Sequence, residues 1–262
     1  MPLQQWILLN ISTWMIIMTM LAIAVGTAVG GVLLVRRLVN IKKFKEHHDI
    51  AGPIFSTIGV IYAVMLAFVL VIVWQDFDSA QNNTVQEANY FADIYRDSVG
   101  LSEPFRSQFL EANTNYLDAV IKHEWPKMQY GERSMEAQAM ADRVWEVTGT
   151  FDPKTDKEKI FFSEILTKMN QAGEMRRQRL MDSRTGVHPA LWSVLLLGGI
   201  ITVVFTFFFG SENLYAQLTM TTMLAVLIAL ILFTILIMDF PYSGDLSIPV
   251  TPFQQVLEFI KH

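Results

Sequence analysis

Few side chains in this chain are placed to do covalent chemistry. His47, His48 and Asp49 stand in a row, but neighbours on a helix point in different directions, and metal coordination needs convergent ligands. A solvated basic loop is the simpler reading, so no metal is expected there, and His123 beside Glu124 is a weaker pair still. There is no cysteine, which excludes disulfides, thiolate metal sites, iron–sulfur clusters and cysteine nucleophiles. A glycine-rich nucleotide loop, a zinc-type His-Glu pair and a serine elbow are all missing. The chain is therefore not expected to be an enzyme, and neither a cofactor nor nucleic acid is expected to bind.

The remaining candidates are charges. Glu87 and Arg96 lie nine residues apart, about 2.5 helical turns, so they face different ways and each should pair with another helix. Arg176, Arg177, Arg179 and Arg184 form a basic stretch just before an uncharged run. It is either a solvated or headgroup-facing helix end, or an anion-attracting vestibule if several subunits bring it around one axis. Asp239 follows another uncharged run; an acid at a helix C-terminus opposes the macrodipole, which calls for a partner such as one of those arginines or a cation.

The uncharged runs define the elements that hold these charges. Only 17% of residues are charged and 52% are hydrophobic, against about 25% charged in soluble domains. Windows 11–35, 54–75, 190–210 and 213–238 contain no Asp, Glu, Lys, Arg or His, and each is long enough for an apolar helix to cross a bilayer core of about 30 Å. This reads as an integral membrane protein with four transmembrane helices. The first has no basic residues before it and Arg36 and Arg37 after it, so it is an anchor rather than a signal peptide. Trp6, Trp14, Trp74 and Trp192 mark the span ends, where amphipathic rings favour the interface.

Residues 76–189 hold 14 of the 20 bases and 19 of the 25 acids, the mark of an extramembrane domain. Apolar residues at three- and four-residue spacing, such as Phe105, Phe109, Leu110, Tyr116, Leu117, Val120 and Ile121, predict amphipathic helices over 81–99, 104–124, 133–148 and 157–182. Ser102 with Glu103 and Pro104 reads as a helix start, while Trp125-Pro126, Tyr130-Gly131 and Asp152-Pro153 mark breaks. The fold class is therefore an all-α membrane protein whose helical extramembrane domain is inserted between the second and third transmembrane helices. Its parts are residues 1–75 with two spans and a basic connecting loop, 76–189 with the helical domain, 190–240 with the other two spans, and a tail at 241–262. From residue 54 to residue 99 there is no proline, and no glycine after Gly59, so one helix of about 45 residues, roughly 65–70 Å long, should leave the membrane unbroken.

Within the spans, Ala22, Gly26 and Gly30, and again Gly59, Ala63 and Ala67, repeat small residues at every fourth position. Such faces let helix backbones approach closely, either inside one bundle or between subunits. No ionisable residue lies inside a span, which disfavours a proton relay. A hydrophobic constriction needs none, since it gates by dewetting; Ile58, Ile61, Met65, Phe68 and Ile72 on the second span are candidates for lining it, with lipid or core packing as the alternative role. The loop after the first span carries Arg36, Arg37, Lys42, Lys43 and Lys45, and the positive-inside rule would put it in the cytoplasm and the helical domain outside.

The stretch GPIFSTIGVIYAVMLAFVLVIVWQDFDSA over residues 52–80, followed by Glu87-Ala88 and Tyr95-Arg96, resembles a bacterial family of membrane proteins called bestrophin-like. Further matches are Glu124-Trp125-Pro126, Arg176-Arg177-Gln178-Arg179-Leu180, His188-Pro189-Ala190-Leu191-Trp192, and Asp239-Phe240-Pro241 with Gly244. The resemblance covers nearly the whole chain. It implies a link to bestrophins, which are pentameric anion channels whose second transmembrane helix lines the pore and whose helical domain lies in the cytosol, against the orientation that charge counting favours. An acidic calcium clasp is missing here, so calcium gating does not carry over. The expectation is an oligomeric ion channel of the bacterial inner membrane, with the lipid bilayer, further copies of itself and inorganic ions as partners. The alternative is a non-conducting sensor or scaffold whose helical domain binds a partner.

Overall fold

A computed structural model describes residues 1–38, 48–209 and 213–261. Lys42, Lys43, Lys45, Glu46 and His47, the side chains of His48 and Asp49, and the expected end of the third span at Gly210 lie outside the described residues. The architecture is all-helical, and no strand occurs among the described residues. In chain order the helices are α1 Leu3–Asn10, α2 Thr13–Leu38, α3 His48–Asp97, α4 Phe105–Ala119, α5 Trp125–Met128, α6 Met135–Thr148, α7 Asp156–Asp182, α8 Pro189–Phe207, α9 Leu214–Met238 and α10 Thr251–Lys261. Four of them, α2, α3, α8 and α9, are long and apolar enough to cross a membrane.

The chain divides into two compact units, one of residues 10–75 and 186–239, the other of 1–9, 76–185 and 240–262. In the first, α2 packs against α8 and α9. Ala24 and Ala28 interleave with Ala225 and Ala229, with Leu21 and Val203 against them, so alanine brings these backbones close. Three glycines open space for rings. A Cβ at Gly31 would sit 2.2 Å from the Phe207 ring, and one at Gly198 would sit 2.5 Å from the Tyr62 ring. Tyr62, on the apolar part of α3, lies over Gly198 and Gly199 and donates its hydroxyl to the Leu195 carbonyl at 2.9 Å. By contrast, a Cβ at Gly26, Gly30 or Gly59 would meet nothing within 4 Å, and Ala63 and Ala67 are exposed. Among the described residues of this unit, then, the small residues that admit close packing within the chain are Ala24, Ala28, Ala225, Ala229, Gly31, Gly198 and Gly199.

This difference is measurable. Gly198→Val should lower the thermal midpoint in detergent sharply, because overpacking costs about 1–3 kcal/mol and the displaced Tyr62 also loses its hydrogen bond. Gly26→Val should leave the fold of the single chain intact; equal destabilisation by the two variants would refute the assignment.

The second unit is built around a core in which Phe109, Leu117, Met128, Ile165 and Phe253 are fully buried, each burial stabilising by roughly 1.5–3 kcal/mol. Its helix starts follow local chemistry. The Ser134 hydroxyl accepts from the Ala137 N–H to begin α6, and Thr155 with Glu158 forms a capping box that begins α7. Gly131, at φ +70°, closes the turn after α5 where a side chain would be strained. The amphipathic tail helix α10 presents Phe253, Val256 and Leu257 to this core. From the N-terminal helix α1, buried Gln5 donates to the Gln129 carbonyl and the Ser243 hydroxyl.

Candidate functional site

Two features of α3 carry the chemistry of this fold: an ion network at Glu87 in the second unit and a bare apolar face over residues 61–72 in the first. The network begins with Pro126. Lacking an N–H, it cannot complete the bond to the Lys122 carbonyl that an α-helix requires, and residues Val120–Glu124 widen into a π turn, with the Trp125 N–H bonded to the Val120 carbonyl. The extra residue in the turn brings Glu124 to the interior, where it is completely buried.

There it meets Glu87 of α3 and Arg179 of α7, both at 0% exposure. Arg179 binds Glu87 through both oxygens, Nε to Oε2 at 2.7 Å and Nη2 to Oε1 at 2.9 Å. Its Nη2 also reaches Glu124 Oε1 at 2.8 Å. Arg176 donates to the other oxygen of Glu124, from Nη2 at 2.6 Å and from Nε at 3.2 Å. The Tyr116 hydroxyl donates to Glu87 at 3.3 Å. The Arg179 guanidinium lies 5.3 Å from both the Trp125 and Phe253 ring centres, which adds a cation–π attraction in a desolvated place. Two carboxylates thus face two guanidiniums, and the formal charges cancel. Bidentate, charge-assisted bonds of this type are the strong ones.

The two acids differ. Burial pushes the Glu87 carboxyl above its ordinary value despite Arg179, with Glu124 adding like-charge repulsion. Burial also opposes ionisation of Glu124, but Arg179 and Arg176 outweigh it and hold that carboxyl below the usual range. For Arg179, desolvation disfavours the charge, and its two carboxylates overcome this and raise its pKa well above normal. Environments that split two carboxyls in this way mark different roles.

The other charges named from sequence are placed elsewhere. Arg96 stays on the surface, 3.4 Å from Asp93 of the same helix and 5.7 Å from the Phe259 ring centre. Arg177 pairs with Glu174 on an exposed face. Asp239 is nearly buried and accepts from the Val187 N–H and from Trp192 Nε1 at 3.1 Å; N–H donors fill the role expected of an arginine or a cation. Trp192 is accordingly buried within the chain. No group of three or more potential metal ligands occurs among the described residues.

The bare face of α3 follows from which side its neighbours occupy. Tyr62, Leu66, Val69 and Val73 are buried, whereas Phe68 is 66% and Ile61 60% exposed, with Val64, Val71 and Ile72 also exposed. Ile58 and Met65 are half-buried, so the middle of the bare face runs closer to Val64, Phe68 and Val71 than the sequence candidates suggested. The sequence reading weighs Glu124 only as a weak metal candidate beside His123 and as part of a matching motif, takes Tyr116 as an apolar helix position, and gives no role to Tyr62 or the Gly198-Gly199 pair. The Trp-Pro dipeptide was the available signal for Glu124, since a proline inside a helical pattern disturbs the turn before it.

A family model described as the bestrophin-like domain matches residues 22–253. No curated protein sequence matches. Among solved structures, one variant of a bacterial bestrophin homologue from Klebsiella pneumoniae superposes with a TM-score of 0.72 at 11% identity, over 92% of this chain and 99% of that one. A second variant of the same homologue gives 0.72 and 11%, over 93% and 97%. At such identity the likeness is one of fold.

Proposed function

The chain belongs to the bestrophin-like family, and from that membership we propose that it acts as an oligomeric ion channel with α3 beside the pore axis. Four helices cross the bacterial inner membrane, and the helical domain between the second and third stands outside the bilayer as a vestibule. The observation that carries this reading is the bare apolar face of α3, where Ile61, Val64, Phe68, Val71 and Ile72 turn away from the helices of their own chain. A ring of such side chains is a hydrophobic constriction that controls conduction by wetting. The unused small residues Gly26, Gly30, Ala63 and Ala67 would let neighbouring copies approach closely.

The deciding measurement is current or ion flux from purified protein in liposomes, together with the mass of the detergent-solubilised oligomer. A defined oligomer that conducts supports the channel, and Phe68→Ala, which widens and wets the constriction, should raise unitary conductance severalfold. Well-folded protein without current across several ions and voltages would move the function to a scaffold or sensor whose helical domain binds a partner. Unaltered conductance in both Phe68→Ala and Ile61→Ala would remove this face as the gate.

A further inference from the structure

In the first unit, α2, α8 and α9 leave open a groove of about 820 Å³. Its floor is the buried side of α9, at Ala225, Ile228, Ala229 and Leu232. Its walls are α2 and α8. Gly26 and Gly30 of α2 give it depth, since a Cβ at either would meet nothing within 4 Å. The lining is apolar apart from Thr27, whose hydroxyl turns back to the Ile23 and Ala24 carbonyls at 2.8 and 3.0 Å. An apolar cavity of this kind holds no water, so inside a bilayer its occupant is hydrocarbon.

The length of the groove and the charge at its end say which hydrocarbon. Helix α8 has 19 residues, about 28 Å, just enough to cross a core of about 30 Å. The groove follows α8 from Leu196 to Phe207, roughly 16 Å, the depth of a single leaflet. It closes at the end of that helix, where the Phe207 ring covers Gly31. Past this point the α2 face that carries Ile23, Thr27 and Gly30 continues at three- and four-residue spacing to Leu34 and Arg37. Both are exposed. Arg37 stands about 10 Å beyond Gly30 along the helix axis, at the depth of lipid headgroups. Its neighbour Arg36 belongs to another face and donates to Gln217 Oε1 of α9 from Nη2 at 2.6 Å and from Nε at 2.9 Å.

We propose that this groove binds one anionic phospholipid of the surrounding bilayer, with an acyl chain laid along Gly26 and Gly30 and the phosphate held by Arg37. A guanidinium suits a phosphate because it can donate two parallel hydrogen bonds to it. The rims favour a chain over a helix. Ile23, Leu196 and Ile200 are large and exposed, so they hold a second helix away from the glycine backbone, whereas a flexible chain passes between them. The Gly26–Gly30 face is thereby given to lipid, with a neighbouring copy as the rival occupant, and Ala63 and Ala67 of α3 remain for packing between copies. Such a lipid is bound whether or not the oligomer conducts.

The test is native mass spectrometry of the purified oligomer, stripped of lipid by detergent exchange and then supplied with phosphatidylglycerol or phosphatidylcholine. Wild type is expected to retain one phosphatidylglycerol per chain. Gly30→Leu, which puts a side chain where the acyl chain lies, should lose it at unchanged oligomer mass. Arg37→Gln should weaken phosphatidylglycerol about fivefold and leave phosphatidylcholine unmoved; this exposed position decides alone if Gly30→Leu gives no folded protein. No retained lipid in wild type, or equal retention in wild type and Gly30→Leu, would overturn the site. A smaller oligomer in Gly30→Leu that still carries its lipid would give the face to a neighbouring copy. Equal retention of the two lipids by wild type, or no effect of Arg37→Gln, would overturn the role of Arg37 and with it the anionic headgroup.

Discussion

Arg179→Met is expected to be the most damaging single substitution in the chain outside the spans. The side chain is fully buried and, among the described residues, is the only group that binds both Glu87 and Glu124. Methionine fills much of the volume but leaves Glu87 buried with, among the described residues, only the Tyr116 hydroxyl, while Glu124 keeps Arg176. Breaking a buried ion pair from one side costs about 3–5 kcal/mol, a large share of the roughly 5–15 kcal/mol that holds a domain folded. The variant should give little monodisperse protein in detergent, or a strongly lowered thermal midpoint. The damage comes from the abandoned carboxylate rather than from the missing contacts, and that is testable. Arg179→Met combined with Glu87→Gln should recover much of the loss, because a neutral amide can be buried at smaller cost. A double variant no more stable than the single one would show that packing of the guanidinium between Trp125 and Phe253 is what matters.

How far such a network can be read from the sequence depends on range. The spans were legible because a bilayer leaves a long, one-dimensional signal: twenty or so residues without charge. The single long α3 was legible for a similar reason, from the absence of proline and glycine after Gly59. The partners of Glu87 were not. Spacing along α3 showed only that Arg96 was on the wrong face, and the actual partner lies 92 residues away in the chain, where periodicity has nothing to say. The small residues teach the same lesson. Four-residue repeats picked out a face at Gly26 and Gly30, where a Cβ would meet nothing within 4 Å, whereas the neighbouring Gly31 meets Phe207; periodicity describes faces and leaves open which one another helix occupies. The tail helix α10 had its signal in Phe253, Val256, Leu257 and Ile260, an amphipathic spacing too short to weigh against four membrane spans.

Glu124→Gln and Glu87→Gln make the same chemical change within one network, yet they should differ. Glu124 answers two guanidiniums and ionises more readily than an ordinary glutamate. Neutralising it removes a favoured charge and leaves Arg176 and Arg179 crowded around one remaining carboxylate. Glu87 is already reluctant to ionise, and a glutamine there can still accept from Arg179. A cost of about 3 kcal/mol is expected for Glu124→Gln and about 1 kcal/mol for Glu87→Gln. The pH dependence follows with opposite signs. A depressed carboxyl such as Glu124 stabilises the fold above its unfolded pKa, and that contribution is lost as pH falls through the folded value. A raised carboxyl such as Glu87 works the other way: the folded state holds its proton longer, so stability declines as pH rises from the ordinary glutamate value of 4.5 through the folded one. Thermal midpoints of the wild type should therefore fall on both sides of that region, and Glu87→Gln should remove only the decline on the alkaline side while keeping the acid one. If Glu87→Gln instead lowered stability evenly at every pH, Glu87 would be an ordinary ionised partner of Arg179, and the division of roles between the two acids would be wrong.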